Sequence, residues 1–269
     1  MNSMDLIKAG RLGEARAQLV SEVRARPGDG AARTMLFQTL CFLGEWDGAV
    51  RHLDAVVAGD AAKDAGAQVY RNLIKAEKER EAVRADGKRP AFFPASPSWL
   101  EAYFDAREKL SAGKRKEGLA ALEAIAARNA GLAGTLNGKP FKGFQDADPL
   151  LFPFIEAFVH DSYLWIPADA VQEMTVDPPA GILDLIWTRG RVAARGGVHI
   201  GCCLPALYPG SFRHPDDRVK MGRMTEWVPD EGGLERGAGQ HTFLAGEDGV
   251  GLLEIRELII DGPRGGGGR

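Results

Sequence analysis

Two aspartates two positions apart, Asp146 and Asp148, are the pair in this sequence best placed to hold a divalent cation, because two carboxylates can converge on one hard ion. Glycine precedes them and Pro149 follows, and in a turn of that composition the same carboxylates accept hydrogen bonds from backbone amides instead. No third acidic ligand is nearby, so the turn is the reading adopted; a metal-dependent enzyme using Asp146 and Asp148, helped by Glu226 or His241, is the alternative, and a generic helical-repeat scaffold is a third reading of the chain. His199-x2-Cys202-Cys203 offers zinc two ligand types, but adjacent cysteines in a strand point to opposite faces and no second cysteine pair exists. They are expected to pack as small buried thiols. Five histidines could serve a nucleophile as base, yet no Gly-x-Ser-x-Gly elbow accompanies any of them. Nor is there a Gly-x4-Gly-Lys-Ser/Thr loop, and Gly265 to Gly268 precede no helix. No catalytic, cofactor-binding or metal-binding residue is therefore assigned. Trp165, Trp187, Tyr208 and Trp227 are dense for one small region, and aromatics serve in cores and, less often, at contact surfaces.

The elements that must position these residues come from an ordinary globular chain. It has 269 residues, 45% hydrophobic and 26% charged, which suits two modest domains and argues against disorder or a coiled coil. No apolar run approaches the ~20 residues of a membrane span, and the start lacks the layout of a signal peptide. Three cysteines form no disulfide framework, so a cytoplasmic protein is expected. Residues 1–143 hold 23 basic and 18 acidic side chains and the rest 11 and 19, giving +5 and −8. Without a dense basic patch, nucleic acid is not an expected partner, and neither is a membrane.

Gly10-x4-Ala15 recurs as Gly44-x4-Ala49, an offset of 34 residues and the period of helical-hairpin repeats. In register, Leu12, Ala15, Leu19 and Val23 match Trp46, Ala49, Leu53 and Val57, a spacing that puts each set on one helix face. Gly113-x4-Gly118 with Leu122 is a third copy, and a helix over about 64–84 fills the gap. Small residues at these positions let helices approach closely. Ser98 is placed as the N-cap of a helix over 99–111. Turn chemistry at Asn137-Gly138 and Lys139-Pro140 marks the end of a helical domain, 1–135, before a β-rich domain, 144–260, with strands at 154–159 and 163–166. Alternation at 253–256 predicts a final strand paired with 242–245, and 261–269 is expected to be a disordered tail. The fold class is α+β: an N-terminal α-α superhelix of TPR-like hairpins, then a smaller β-rich domain.

The order of blocks Gly10-x-Leu12-x2-Ala15, Cys41-Phe42-Leu43-Gly44-Glu45-Trp46, Tyr70-Arg71-x-Leu73-Ile74-x-Ala76-Glu77 and Pro97-x-Trp99-Leu100 resembles the ImpE family, also called TagJ. The likeness continues through Phe144-Gln145-Asp146-Ala147-Asp148, Tyr163-x-Trp165-Ile166-Pro167, Asp184-Leu185-Ile186-Trp187, Tyr208-Pro209-Gly210-Ser211, Gly222-Arg223-x-Thr225-Glu226-Trp227 and Gly237-x-Gly239-Gln240. It covers nearly the whole chain. Leu207 and His241 stand where the family usually has arginine. The resemblance implies a non-catalytic cytoplasmic accessory protein of type VI secretion. It also implies binding to the small subunit of the contractile sheath, through a short helix of that subunit, and help in sheath assembly or recycling by a ClpV-type ATPase. The spacing itself supplies only a concave helical surface and a junction able to receive an amphipathic helix. Within the resembling blocks, Tyr208, Arg223 and Trp227 are the expected partner-binding residues, since aromatics and arginine are the usual interface anchors.

Overall fold

A computed structural model describes residues 1–230 and 232–261. Helices α1 (Ser3–Lys8) and α2 (Leu12–Ala25), then α3 (Gly30–Phe42) and α4 (Trp46–Val57), form two hairpins. The long α5 (Ala61–Asp86) follows, then a two-residue strand β1 (Ala91–Phe92) and a further hairpin, α6 (Leu100–Ser111) with α7 (Arg115–Asn129). The repeated glycine has a backbone cause: Gly10, Gly44 and Gly113 each end the first helix of a hairpin at φ of +69°, +67° and +75°, a left-handed conformation that a Cβ disfavours. The stripes behave as their spacing predicts. Leu12, Ala15, Leu19 and Val23 are buried on α2, and Ala49, Leu53 and Val57 on α4, with Trp46 half-buried. At Gly118 a Cβ would lie 2.7 Å from Leu110 Cγ and 2.9 Å from the Ala106 carbonyl oxygen, so glycine sets the crossing of α6 and α7. Ser98, by contrast, caps nothing: α6 starts at Leu100 with Trp99 in the cap position and no side-chain hydrogen bond there.

The remaining chain builds a nine-stranded sheet from β1, β2 (Ala133–Leu136), β3 (Lys139–Lys142), β5 (Phe154–Val159), β6 (Ser162–Pro167), β7 (Val171–Val176), β8 (Trp187–Ala194), β9 (His199–Pro205) and β14 (Glu257–Ile260). Its order is β1-β6-β5-β9-β8-β7-β14-β2-β3, antiparallel except for β1 on β6. A three-stranded sheet joins β4 (Phe144–Asp146), β12 (Thr242–Ala245) and β13 (Asp248–Gly251). After a short helix α8 (Asp217–Lys220), a two-stranded ribbon pairs β10 (Thr225–Pro229) with β11 (Glu235–Gly239).

Two sequence expectations shift. The stretch at 133–142 predicted as the helical domain's end and a linker is a hairpin of the large sheet, turning at Asn137-Gly138 with φ of +50° and +78°. Four-residue strands show too little alternation to stand out from their turn. The sheet also takes β1 from inside the helical half, so the predicted boundary at 135/144 falls across paired strands. The strand paired with β12 is β13 at 248–251, not 253–256; Leu252–Glu254 form one helical turn, and β14 instead lies between β2 and β7. The predicted tail lies, apart from Asp261, outside the described residues.

Because alternate strand residues face opposite ways, the large sheet serves two cores. One lies under the helices, where Leu73, Ile74 and Tyr103 meet Phe154, Phe158, Trp165, Trp187 and Tyr208. The other lies toward the small sheet and holds Ile155, Ile166, Leu204, Phe243 and Leu258. The first core runs without a break from α1 to the sheet, so the helical and β regions share apolar contacts rather than merely touching. Among the described residues no helix is long and apolar enough to cross a membrane.

Candidate partner-binding groove and the polar junction beneath it

Where α5 crosses the sheet, the apolar core gives way to buried charge. On α5, Glu77 and Arg80 are one turn apart with 3.5 Å between their charged atoms. Arg80 reaches across to Glu156 of β5 in a two-pronged pair at 2.8 and 2.6 Å and donates to the Leu207 carbonyl at 2.8 Å. Trp187 Nε1–H donates to Glu77 at 3.0 Å. Tyr163 donates its hydroxyl proton to Glu156 and accepts one from Trp165 Nε1–H. His241 continues the chain, with Nε2 2.9 Å from Glu156 and Nδ1 2.7 Å from Asp146. Arg80, Glu156, Asp146 and His241 are each at most 4% exposed. Charges so placed are tolerated only when every donor and acceptor is matched.

The electrostatics follow from that matching. Burial alone would lower the His241 pKa, but the charges of Asp146 and Glu156 and hydrogen bonds to both prevail, raising it to about 9. The two carboxylates thus favour the protonated ring, while the Arg80 guanidinium, with Nη2 3.1 Å from Nε2, stands on the same side as Glu156. Burial acts to raise Glu156, yet Arg80 and His241 overcome it and hold the carboxyl well below its ordinary range. Glu77, whose guanidinium partner is farther off, is pushed up by burial.

Asp146 and Asp148 are structural, as their turn setting suggests, and more heavily engaged than caps. One Asp146 oxygen accepts from the Asp148 amide at 2.7 Å and the Tyr208 hydroxyl at 2.8 Å, and the other faces His241. Asp148 accepts from the amides of Leu150, Leu151 and Gly237 and pairs with Arg236 at 2.9 Å. These lone pairs are taken by protein donors, and cations already stand beside both carboxylates. Glu226 is elsewhere, 3.2 Å from His214, and contributes nothing to the aspartates. Cys202 and Cys203 face opposite sides of β9, toward the two different cores, and burial raises both thiols, Cys202 to about 12.

The three expected contact residues have three different settings. Tyr208 is fully buried with its hydroxyl bound to Asp146, which removes it from any contact surface. Arg223 donates to the carbonyls of Lys8 at 2.8 Å and Ile7 at 3.4 Å, capping the end of α1, while Asp217 accepts from the Leu12 amide at 2.7 Å at the start of α2. A cation at a helix C-terminus and an anion at an N-terminus both suit the helix dipole. Arg223 therefore clamps the β region onto the first hairpin. Arg223 is exposed as well but engaged, whereas Trp227 belongs to a ridge of the ribbon: it is 39% exposed with its ring 5.9 Å from the Tyr208 ring beneath, and Val228, at 40%, follows it on the other face of β10.

Next to that ridge is a groove of about 260 Å³ between the C-terminal end of α5, the loop at Pro209 and the ribbon. Arg84, Arg213 and Arg236 line it. Arg213 is held by Glu81 at 2.5 Å and Arg236 by Asp148, but among the described residues Arg84 has no hydrogen-bond or ion-pair partner. A Cβ on Gly210 would lie 3.4 Å from Arg84 Cζ and 3.1 Å from Arg213 Nη1, so the two guanidinium groups crowd one backbone position. Burial and the neighbouring arginines lower the pKa of Arg84, outweighing Glu81 and Asp148.

The junction and this groove escaped the sequence reading because their members run from residue 77 to 241 with no local spacing. One signal was present: Glu156 interrupts the apolar run 154–159, and a carboxylate in a buried strand demands a cation.

Comparison with known proteins agrees with this architecture. The ImpE protein family matches residues 138–259. Over 261 residues the chain is 30% identical to the type VI secretion system accessory component TagJ of Pseudomonas aeruginosa, covering 97% of this chain and 92% of that protein. The crystal structure of protein VPA1032 from Vibrio parahaemolyticus superposes with a TM-score of 0.85 at 19% identity, over 97% of this chain and 98% of that one, and so shares the fold.

Proposed function

The chain belongs to the ImpE family of TagJ-like proteins, and from that premise we propose that it is a non-catalytic accessory component of a type VI secretion system. It acts in the cytoplasm on the small subunit of the contractile sheath. A short amphipathic helix of that subunit packs its apolar face against the exposed edge of Trp227 and places an acidic side chain in the neighbouring groove, at Arg84. Help in sheath assembly, or in recycling by a ClpV-type ATPase, follows from holding that subunit. The observation that carries this reading is the pairing of an exposed tryptophan with an arginine that, among the described residues, has no hydrogen-bond or ion-pair partner. Aromatic and arginine anchors side by side are the usual composition of an interface hot spot.

Titration calorimetry with a synthetic peptide covering the small subunit's N-terminal helix tests it. Trp227→Ala costs about 2 kcal/mol of binding, roughly thirtyfold, without loss of melting temperature. Arg84→Glu weakens binding most at low salt, where charge attraction is least screened. Wild-type affinity in both variants removes this surface, and no binding by the wild-type chain removes the sheath subunit as partner.

A further inference from the structure

The helices cover only part of the large sheet, and beside the N-terminal half of α5 a cleft of about 370 Å³ opens onto β8 and β9. Its apolar wall is Leu73 and Phe158, with Val69 on the rim at 52% exposed. Its floor carries Arg189 and Arg191, two positions apart on β8 and so on one sheet face, their Cα atoms about 6.6 Å apart by strand geometry. Both are exposed, and among the described residues neither guanidinium makes a hydrogen bond or ion pair. The acids nearby leave them free: Asp177 lines the cleft without pairing to either, and Asp184 accepts from the amides of Ala180 and Gly181.

Two glycines in these strands separate packing from vacancy. At Gly190 a Cβ would lie 2.7 Å from the Thr175 carbonyl oxygen and 3.0 Å from Leu204 Cδ1, so glycine there is a packing requirement. Gly201, directly across from Arg191, has no positive φ, and a Cβ on it would meet nothing within 4 Å. Glycine weakens a strand interior, and where neither backbone nor packing demands it, its effect is to leave room for something else to approach.

We propose that this cleft binds a small organic anion, a carboxylate or phosphate carried on a short apolar chain. Arg189 and Arg191 take the head group, the open surface over Gly201 admits it, and the tail lies against Val69, Leu73 and Phe158. Planar guanidinium groups match the oxygens of either head group, and the cleft's volume suits a small ligand. The site is separate from the ridge and groove assigned to the sheath subunit and stands whether or not that assignment does.

Calorimetric titration of the full chain with hexyl phosphate, hexanoate and inorganic phosphate tests the proposal. One saturable site is expected for at least one of the two amphipathic anions, and the preference between them identifies the head group. Arg189→Ala with Arg191→Ala weakens binding by about tenfold or more. Gly201→Leu fills the cleft and abolishes binding with an unchanged melting midpoint; should that variant fail to fold, the arginine double variant decides. Absence of saturable binding by both amphipathic anions overturns the proposal. So does wild-type binding by folded Gly201→Leu or by the arginine double variant, or inorganic phosphate binding as tightly as hexyl phosphate, which marks an adventitious ion only.

Discussion

The hairpins around α3 and the junction between α5 and the sheet hold the chain together by opposite means. In the hairpins, Leu12, Leu19, Leu53 and Val57 bury aliphatic surface without direction, so each residue contributes in proportion to its volume. At the junction, Arg80, Glu156, His241 and Asp146 are just as buried, yet each is tolerable only because the others are present. Apolar packing lets helices settle at a range of angles; a chain of charge-assisted hydrogen bonds fixes α5 over β5 in one register. The junction thus orients the β region, and with it the ribbon and groove, relative to the hairpins.

The largest effect expected from breaking this contrast is at Arg80. Arg80→Ala leaves Glu156 buried without its main cation and costs about 3–5 kcal/mol, measurable by urea unfolding. Replacing Arg80 and Glu156 together by methionine costs less than the sum of the single changes, because neither of the two is then left buried without the other. Additive losses would show that the pair is not coupled.

The pH dependence distinguishes the two regions next. His241 has its pKa raised to about 9 from an ordinary 6.5, so its contribution is complete below about pH 6.5 and fades as pH rises through 9. That loss is about 3 kcal/mol on the alkaline side. Glu156 is lowered, so its contribution is present above the ordinary carboxylate range and disappears as pH falls through its depressed value. His241→Asn should lower stability at pH 7 and flatten the alkaline limb in melting-temperature profiles, whereas Leu53→Ala should lower the whole profile without changing its shape.

That same Leu53→Ala variant loses about 2–3 kcal/mol at pH 7, as for a buried leucine whose cavity partly collapses. Smallest of all is Ser98→Ala, expected to change stability by less than about 0.5 kcal/mol, since its hydroxyl caps no helix. A loss nearer 1 kcal/mol would restore the capping role the sequence suggested.

The contrast also explains what the sequence disclosed. The hairpins were legible because their cause is local: a glycine at 10, 44 and 113 that must turn left-handed, and stripes with helical spacing. Strands β5 and β6 showed as compact apolar runs, and the opposed faces of Cys202 and Cys203 followed from strand alternation alone. The turn role of Asp146 and Asp148 was legible as well; of their partners, His241, 95 residues beyond Asp146, stood beside them only as a helper in the metal alternative, and Arg236, 88 beyond Asp148, gave no sign. Tyr208 and Trp227 illustrate the same limit: both are aromatics in resembling blocks, yet only the fold tells that one is sealed under the other. Glu77 and Arg80, spaced as an ordinary surface pair, gave no sign of burial.

The proposed partner surface is the ridge and groove at 209–215, 225–230 and 232–238, which a junction of paired buried charges holds in place. Hydrogen–deuterium exchange of the full chain, alone and saturated with the sheath small subunit, tests it most directly. The expected result is added protection confined to those segments and to the end of α5 near Arg84, with the amides around Glu156 and His241 slow to exchange and unchanged. Added protection on α2 and α4 instead, with the ribbon unaltered, would contradict it.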